Sequence, residues 1–172
     1  NIILQSLINF SRGGQSLQKG LQSVNVSDAV EEAIQLLSLS NQQSQQQFFR
    51  TLSTELFILG DHQQLVQVLI NLLSNARDAS VEDSPINISV ERQGKKLTIM
   101  ISDGGTGIPS DIQDRIFEPF VTSKQPGEGT GLGLWIVFSL VKNLGGEINL
   151  YSPAINSDRG TTAHLQFTLD EN

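Results

Sequence analysis

The run VLINLLSNARDAS, residues 68–80, constrains the fold more than any other stretch of the sequence. Its apolar residues recur at helical spacing and cover most of the helix circumference, which is typical of a buried helix. Asn71 and Asn75 nevertheless lie four residues apart, so both amides point to the same side. Because an unpaired buried amide costs about 1–3 kcal/mol, the pattern predicts one feature that both amides face.

The composition excludes several classes of protein. A net charge of -7 over 172 residues argues against a nucleic-acid or acidic-membrane surface, which would concentrate Lys and Arg on one face. The absence of cysteine excludes a disulfide framework and a thiolate metal site, and it is compatible with a reducing cytoplasm. No apolar run approaches the roughly 20 residues that cross a bilayer. We therefore expect one well-packed domain with an appendage.

Capping and turn residues divide the chain into alternating helices and strands. The predicted elements are a strand and helix in residues 23–40 with Ser27 as N-cap, an exposed turn in 41–50, a strand ending at Gly60, a helix from the Asp61 cap to Ala79, a hairpin turned at Gly94, a helix over 132–144, and strands at 147–153 and 161–169. An apolar helix is also expected at residues 1–12. This order favours a mixed sheet covered by helices on one face.

Two glycine-rich stretches have chemical content. In SDGGTGIP, Asp103 ends an apolar strand, and Gly105 and Gly107 allow either a tight turn or close approach of a ligand. In GEGTGLGL, the glycines precede a helix, whose first N–H groups could bind phosphate or whose loop could be a simple hinge. The intervening residues 104–130 contain no long periodic element, and loops of that length are usually functional or disordered.

With NLLSNA, IFEPF and a late GTT in this order, the chain resembles the catalytic ATP-binding domain of sensor histidine kinases. That domain belongs to the wider superfamily of gyrase, heat-shock chaperone and mismatch-repair ATPases. The resemblance covers about residues 24–169. The matching motifs are the N-box (Asn71, Asn75), the first glycine box (Asp103, Gly105, Gly107), the F-box (Phe117, Phe120), the second glycine box (Gly129 to Leu134) and the third (Gly160-Thr161).

The resemblance implies an α+β fold, a two-layer α/β sandwich in which a mixed five-stranded sheet carries helices on one face, known as the Bergerat ATP-binding fold. It implies a catalytic domain at residues 23–172 with a lid at 104–130. Residues 1–22 would be the end of the second helix of a dimerisation and phosphoacceptor domain, together with a linker. The chain would then be a piece of a longer protein.

The resemblance also implies a role for each motif. Asn75, helped by Asn71, would face Mg2+ on the nucleotide phosphates and act as catalytic and metal-binding residues. Asp103 would accept a hydrogen bond from adenine, Phe117 and Phe120 would anchor the lid, and Lys124 is either a phosphate-contacting cation or a solvated charge. The implied nucleotide-binding residues are Asn75, Asp78, Ala79, Asp103, Gly105, Gly107, Ile108, Lys124, Gly129, Thr130, Gly131, Leu132, Gly133, Leu134 and Thr161.

Three positions depart from the family pattern. Gly104 stands where these kinases commonly carry Asn, and Glu128 adds negative charge inside the second glycine box. At position 71 the hydrolysing relatives carry Glu, which activates water, whereas this chain has a neutral Asn that cannot serve as that base. The substitution favours transfer to an acceptor over hydrolysis.

The implied activity is donation of the γ-phosphoryl group of Mg-ATP to a histidine. Neither His62 nor His164 lies in a phosphoacceptor motif, so the acceptor is expected outside this chain. The implied partners are the parent's dimerisation domain and a response regulator receiver domain, without nucleic acid or membrane contact. A cytoplasmic location is expected, with an inner-membrane sensor as one option for the parent. The alternatives are an ATP-hydrolysing clamp and a catalytically silent nucleotide-sensing module.

Overall fold

The structure, a computed structural model, describes residues 21–40, 47–53, 55–81, 84–124 and 129–171. The helix expected at residues 1–12, the segment up to residue 20 and Glu128 lie outside the described residues. The elements in chain order are β1 (Gln22–Asn25), α1 (Val26–Ser40), β2 (Phe48–Leu52), β3 (Phe57–Gly60), α2 (His62–Ala79), β4 (Ile86–Gln93), β5 (Lys96–Asp103), α3 (Gly133–Asn143), β6 (Glu147–Tyr151) and β7 (Thr161–Thr168).

Five of the described strands form one mixed sheet in the order β2-β4-β5-β7-β6. Strand β2 runs parallel to β4, whereas the pairs β4-β5, β5-β7 and β6-β7 are antiparallel. Alternate residues of the strands are buried, as at Ile86, Ile88 and Val90 of β4, and they pack against the helices. The predicted two-layer arrangement is confirmed.

Helix α2 is the centre of the helical layer. It packs against α1, α3 and β5, and its residues Leu65, Leu69 and Leu73 are fully buried. Asp61 caps its start, because the side chain accepts a hydrogen bond from the Gln64 N–H at 3.0 Å. The helix ends at Ala79, as predicted. Its C-terminal end lies beside Gly105, just after β5.

Two local predictions were wrong. Residues 48–50, predicted as part of an exposed turn, belong to the edge strand β2, because the chain pairs with β4 from Phe48↔Ile86 to Leu52↔Val90. Asn25, not Ser27, caps α1, since its Oδ1 accepts from the Ser27 N–H at 3.0 Å. The Ser27 hydroxyl instead donates to the Ser53 carbonyl at 2.9 Å. Strand β2 depends on a pairing partner that is distant in sequence. The cap depends on where the extended backbone of β1 ends, which is at Asn25, directly before α1.

Strands β1 and β3 form a separate antiparallel pair, from Gln22↔Gly60 to Asn25↔Phe57. The hairpin of β4 and β5 turns at Gly94, which has a φ of +64°, as the sequence predicts. In the described part of 104–130 the structure has a single 3-10 turn, Gln113–Arg115, and no longer helix or strand. Across the described ranges, every helix is too short or too polar to cross a bilayer.

Candidate functional site

Asp103 is the last residue of β5 and is a buried carboxylate, with 8% of its surface exposed. Its Oδ1 atom accepts hydrogen bonds from the backbone N–H groups of Gly105, at 2.8 Å, and Thr161, at 3.2 Å. Burial raises the pKa of Asp103 above its ordinary value of 3.8, and the two N–H donors oppose that rise only partly. Since both bonds fall on Oδ1, Oδ2 is the acceptor that a ligand could use.

Glycines allow three segments to meet around Asp103. A Cβ on Gly160, which has a φ of +80°, would overlap the carbonyl oxygen of Asp103 itself. A Cβ on Gly105 would overlap the carbonyl oxygen of Ala79 at the end of α2. The first glycine box, the third glycine box and the end of the N-box helix therefore meet around Asp103.

Ser152 supports the same turn and was missed by the sequence reasoning. Its hydroxyl accepts from the Ile108 N–H at 2.8 Å and lies 3.2 Å from the Gly160 carbonyl, to which it donates. Gly107 has a φ of +79°, and a Cβ there would lie 2.6 Å from Ser152 Oγ. A serine following a strand was the available signal, but such residues are common in turns and do not by themselves indicate a site.

Gly104, the departure from the family pattern, also has a structural partner. A Cβ on Gly104 would overlap the hydroxyl oxygen of Ser84, which precedes β4. The space next to Asp103 is thus occupied by a side chain from another segment. Residue 104 and residue 84 are matched to each other in this chain, a relation that no local sequence pattern reveals.

The two amides of α2 have different surroundings. Asn71 Oδ1 accepts from the Gln67 side-chain amide at 3.2 Å, and Asn71 Nδ2 is buried without a hydrogen-bond partner. Asn75 faces the start of α3, because a Cβ on Gly133 would lie 4.0 Å from Asn75 Nδ2 with nothing nearer. Asn75 therefore faces the start of α3, whereas Asn71, one turn earlier on the same side of α2, has a buried amide nitrogen.

The start of α3 has no side-chain cap. Leu132 is its N-cap residue and makes no side-chain cap bond, while the Leu132 N–H has a long contact of 3.4 Å with Thr130 Oγ1. The helix runs on through Leu134, which packs against the core together with Leu132. An uncapped helix start presents N–H groups and a partial positive charge, which suits an anion.

The two F-box phenylalanines play different parts. Phe117 packs against the core, and its ring centroid lies 5.3 Å from that of Phe138. Phe120 is 75% exposed, so its ring packs little against the domain, contrary to the anchoring role that the motif implies. The backbone of Phe120 makes the contact instead, since the Phe120 N–H donates a hydrogen bond to the Gly131 carbonyl at 2.9 Å.

Phe120 and Gly131 approach each other closely enough to define what we call the clasp. Phe120 has a φ of +68° and Gly131 a φ of +65°. A Cβ on Gly131 would overlap the Phe120 backbone, so a glycine is required there. The clasp joins the segment that follows β5 to the residues that start α3.

Lys124 and Asp78, both predicted nucleotide-binding residues, form an ion pair with 2.5 Å between Nζ and Oδ2. Gly129 lies beside Lys124, since a Cβ on Gly129 would be 3.0 Å from Lys124 Cδ. The structure thus brings Lys124 to α2, one turn beyond Asn75. Whether Lys124 contacts phosphate stays a prediction.

The two histidines lie away from this cluster. His62 begins α2, and its Nε2 is 2.6 Å from Glu32 of α1. His164 lies in β7 with its ring edge-on to Tyr151, at 6.1 Å between centroids. In the described ranges, no three His, Cys, Asp or Glu side chains come together as a metal site.

Comparison with known proteins identifies the family. The family described as "Histidine kinase-, DNA gyrase B-, and HSP90-like ATPase" matches residues 60–171. The chain is 34% identical over 170 residues to the alginate biosynthesis sensor protein KinB of Pseudomonas aeruginosa, which covers 98% of this chain and 28% of KinB. It is 36% identical over 133 residues to the sensor histidine kinase ZraS of Escherichia coli, covering 77% of this chain and 28% of ZraS.

Solved structures agree with this assignment. The catalytic domain of the histidine kinase ThkA is 27% identical, has a TM-score of 0.75, and covers 87% of this chain and 96% of that domain. The mycobacterial sensor histidine kinase MprB has the same fold, with a TM-score of 0.76 at 23% identity. The chain therefore spans nearly all of a solved catalytic domain but only 28% of KinB or ZraS. It belongs to the histidine kinase-, DNA gyrase B- and HSP90-like ATPase family, as a catalytic ATP-binding domain of the sensor histidine kinase type.

Proposed function

We propose that this domain binds ATP together with Mg2+ and donates the γ-phosphoryl group to a histidine of a dimerisation domain. The observation that carries the proposal is the buried Asp103 carboxylate, whose Oδ1 is held by two backbone N–H groups while Oδ2 is available. The exocyclic amine of adenine is a matching donor. A base without that donor would leave a buried carboxylate unpaired, which favours adenine over guanine.

The polyphosphate would extend from Asp103 towards the uncapped start of α3. The free N–H groups there and the positive end of the helix dipole would bind phosphate oxygens. Asn75 lies on the opposite wall, facing Gly133. This arrangement supports the assignment of Gly129, Thr130, Gly131, Leu132, Gly133 and Leu134 to the phosphate end.

The two amides are suited to different parts of a magnesium–phosphate group. Asn71 Oδ1 already accepts from Gln67, and the atom left without a partner is Nδ2, a donor that can bind a phosphate oxygen but not a cation. Asn75 is the better magnesium ligand, since amide oxygens suit a hard cation that keeps several waters. When bound, Mg2+ would neutralise phosphate charge during transfer.

Transfer is favoured over hydrolysis by the neutral side chain at position 71, which cannot take a proton from water. The acceptor histidine would belong to the parent's dimerisation domain, and residues 1–22 would be the end of the second helix of that domain together with a linker. A structure of the kinase ThkA in complex with the response regulator protein TrrA supports a receiver domain as the second partner. We place this activity in the cytoplasm.

Phosphoryl transfer in trans tests the proposal. The chain, radiolabelled ATP and a separate dimerisation domain from the parent are mixed, and label is expected on the dimerisation domain's histidine as an acid-labile, base-stable phosphohistidine. Transfer will be slow because untethered domains lose the effective concentration that a linker gives, often millimolar. Asn75→Ala should abolish it by removing the magnesium ligand.

The control variant is His62→Gln, which changes a half-buried histidine outside the site and should leave transfer unchanged. Labelling of the isolated chain on His62 or His164 would contradict the domain assignment. Rapid phosphate release without transfer would favour the hydrolysing clamp, and ATP binding with neither reaction would favour a silent sensing module.

A further inference from the structure

The Lys124–Asp78 pair joins two elements that the proposed nucleotide site needs in register. Lys124 belongs to the lid segment and Asp78 to the last turn of α2, three residues after Asn75. Residues three apart on a helix lie on one face, so Asp78 borders the same space as Asn75. An acidic side chain at this position would repel a bound polyphosphate unless a cation balanced its charge.

Asp78 has a second cation within reach. Its Oδ1 lies 3.8 Å from Arg77 Nε, whereas Oδ2 binds Lys124. The Arg77 side chain is only 17% exposed and also contacts Ser74 Oγ, at 3.4 Å, so it is held on α2. If Lys124 left, Asp78 would keep a cationic neighbour. The carboxylate can therefore release the lysine without becoming an unpaired charge.

The pair is also weak enough to be exchanged. The Lys124 side chain is 35% exposed and that of Asp78 38% exposed. Exposed ion pairs contribute about 1.4- to 5-fold in an equilibrium constant, which a multiply charged phosphate can exceed. The ion pair with Asp78 thus holds Lys124 next to the proposed phosphate end, and a bound nucleotide can displace it.

We propose that Asp78 is a positioning residue for Lys124: it holds the lid lysine beside the site and competes with the terminal phosphate for it. This inference rests on the proposed nucleotide site. In it Asp78 acts through the lysine rather than by binding the nucleotide, and it sets how strongly the domain prefers three phosphates to two. Once Lys124 has moved to phosphate, Arg77 is the cation that remains beside Asp78.

A double-mutant cycle tests this competition, with Asp78→Asn, Lys124→Met and the double variant titrated with Mg-ATP and Mg-ADP. Asp78→Asn should tighten ATP about 2- to 5-fold, because Lys124 no longer has to leave a partner. ADP affinity should change by less than 2-fold. In the Lys124→Met background, Asp78→Asn should have no effect on either nucleotide.

Asp78→Glu keeps the carboxylate and should restore the wild-type preference for ATP over ADP. The matched control is Glu118→Gln, which breaks the exposed Arg115–Glu118 pair on the same segment and should leave both affinities unchanged. Urea unfolding of every variant separates loss of binding from loss of fold.

Equal tightening of ATP with and without Lys124 would overturn the inference, since it would mean that Asp78 repels phosphate directly. Unchanged ATP affinity in Asp78→Asn would overturn it as well. Failure of the wild-type chain to bind ATP would instead contradict the proposed function, so the two failures are distinguishable.

Discussion

The two ends of the candidate site are built from different kinds of structure. Asp103 is 8% exposed, belongs to a strand paired on both sides, and is fixed by two backbone N–H groups. Lys124 has a side chain that is 35% exposed, lies outside any helix or strand, and is held by one ion pair. The proposed contact to the base is therefore part of the folded core, whereas the proposed contact to phosphate can be rearranged at little cost.

The largest expected effect comes from disturbing the Asp103 end. Gly160→Ala should lower the free energy of unfolding by about 3 kcal/mol or more, because the new Cβ overlaps the Asp103 carbonyl at a positive φ. Gly94→Ala is the matched control, since Gly94 also has a positive φ but has nothing within 4 Å of the added Cβ. It should cost about 1–2 kcal/mol. Urea unfolding measures both, and equal losses would mean that the contact at Asp103 yields easily.

The next effect is on nucleotide affinity. Asp103→Asn should weaken ATP binding about 10- to 100-fold, as expected when a buried acceptor worth about 1–3 kcal/mol becomes an amide. Lys124→Met should weaken it less, about 2- to 5-fold, because its contact is exposed. Calorimetric titration compares the two. A larger loss of ATP affinity in Lys124→Met than in Asp103→Asn would reverse the proposed difference between the two ends. The control is Asp158→Asn, which changes an exposed acid and should leave ATP affinity unchanged.

The smallest effect is a pH dependence of stability. Burial raises the pKa of Asp103 in the folded state, so the folded chain keeps this proton to a higher pH than the unfolded chain does. The contribution of Asp103 to stability is then greatest below its ordinary pKa of 3.8 and is lost as the pH rises through the folded pKa. The free energy of unfolding of wild type minus that of Asp103→Asn should fall over this window and then level off. A difference that rises with pH would contradict the raised pKa.

Local patterns were sufficient for most of the fold. The helical spacing around Leu69 and the Asp61 cap predict α2 within its observed bounds, and the turn at Gly94 predicts the β4-β5 hairpin. Strand β2 escaped prediction because its exposed residues do not alternate clearly and its pairing partner lies in β4, distant in sequence. Edge strands of this kind are specified by tertiary contacts more than by their own residues.

The glycine and asparagine motifs indicated where the candidate site lies but not how it is assembled. Ser84 and Ser152 meet Gly104 and Gly107 through contacts between segments, and Lys124 reaches Asp78 across 46 positions. Such pairings are absent from any local window. The exposure of Phe120 was also unpredictable, since a motif does not reveal that the backbone rather than the ring makes the contact.

The clasp between Phe120 and Gly131 gives Lys124 a tether of defined length. Lys124 lies four positions after Phe120, and at about 3.5 Å per residue its Cα can move no farther than about 14 Å from the Phe120 Cα while the clasp is closed. The tether therefore keeps the Lys124 ammonium group at a high effective concentration near the start of α3, whatever path the rest of the segment takes. Opening the clasp would enlarge the volume that Lys124 can reach and lower its local concentration at the proposed phosphate end, without altering any other group proposed to contact phosphate.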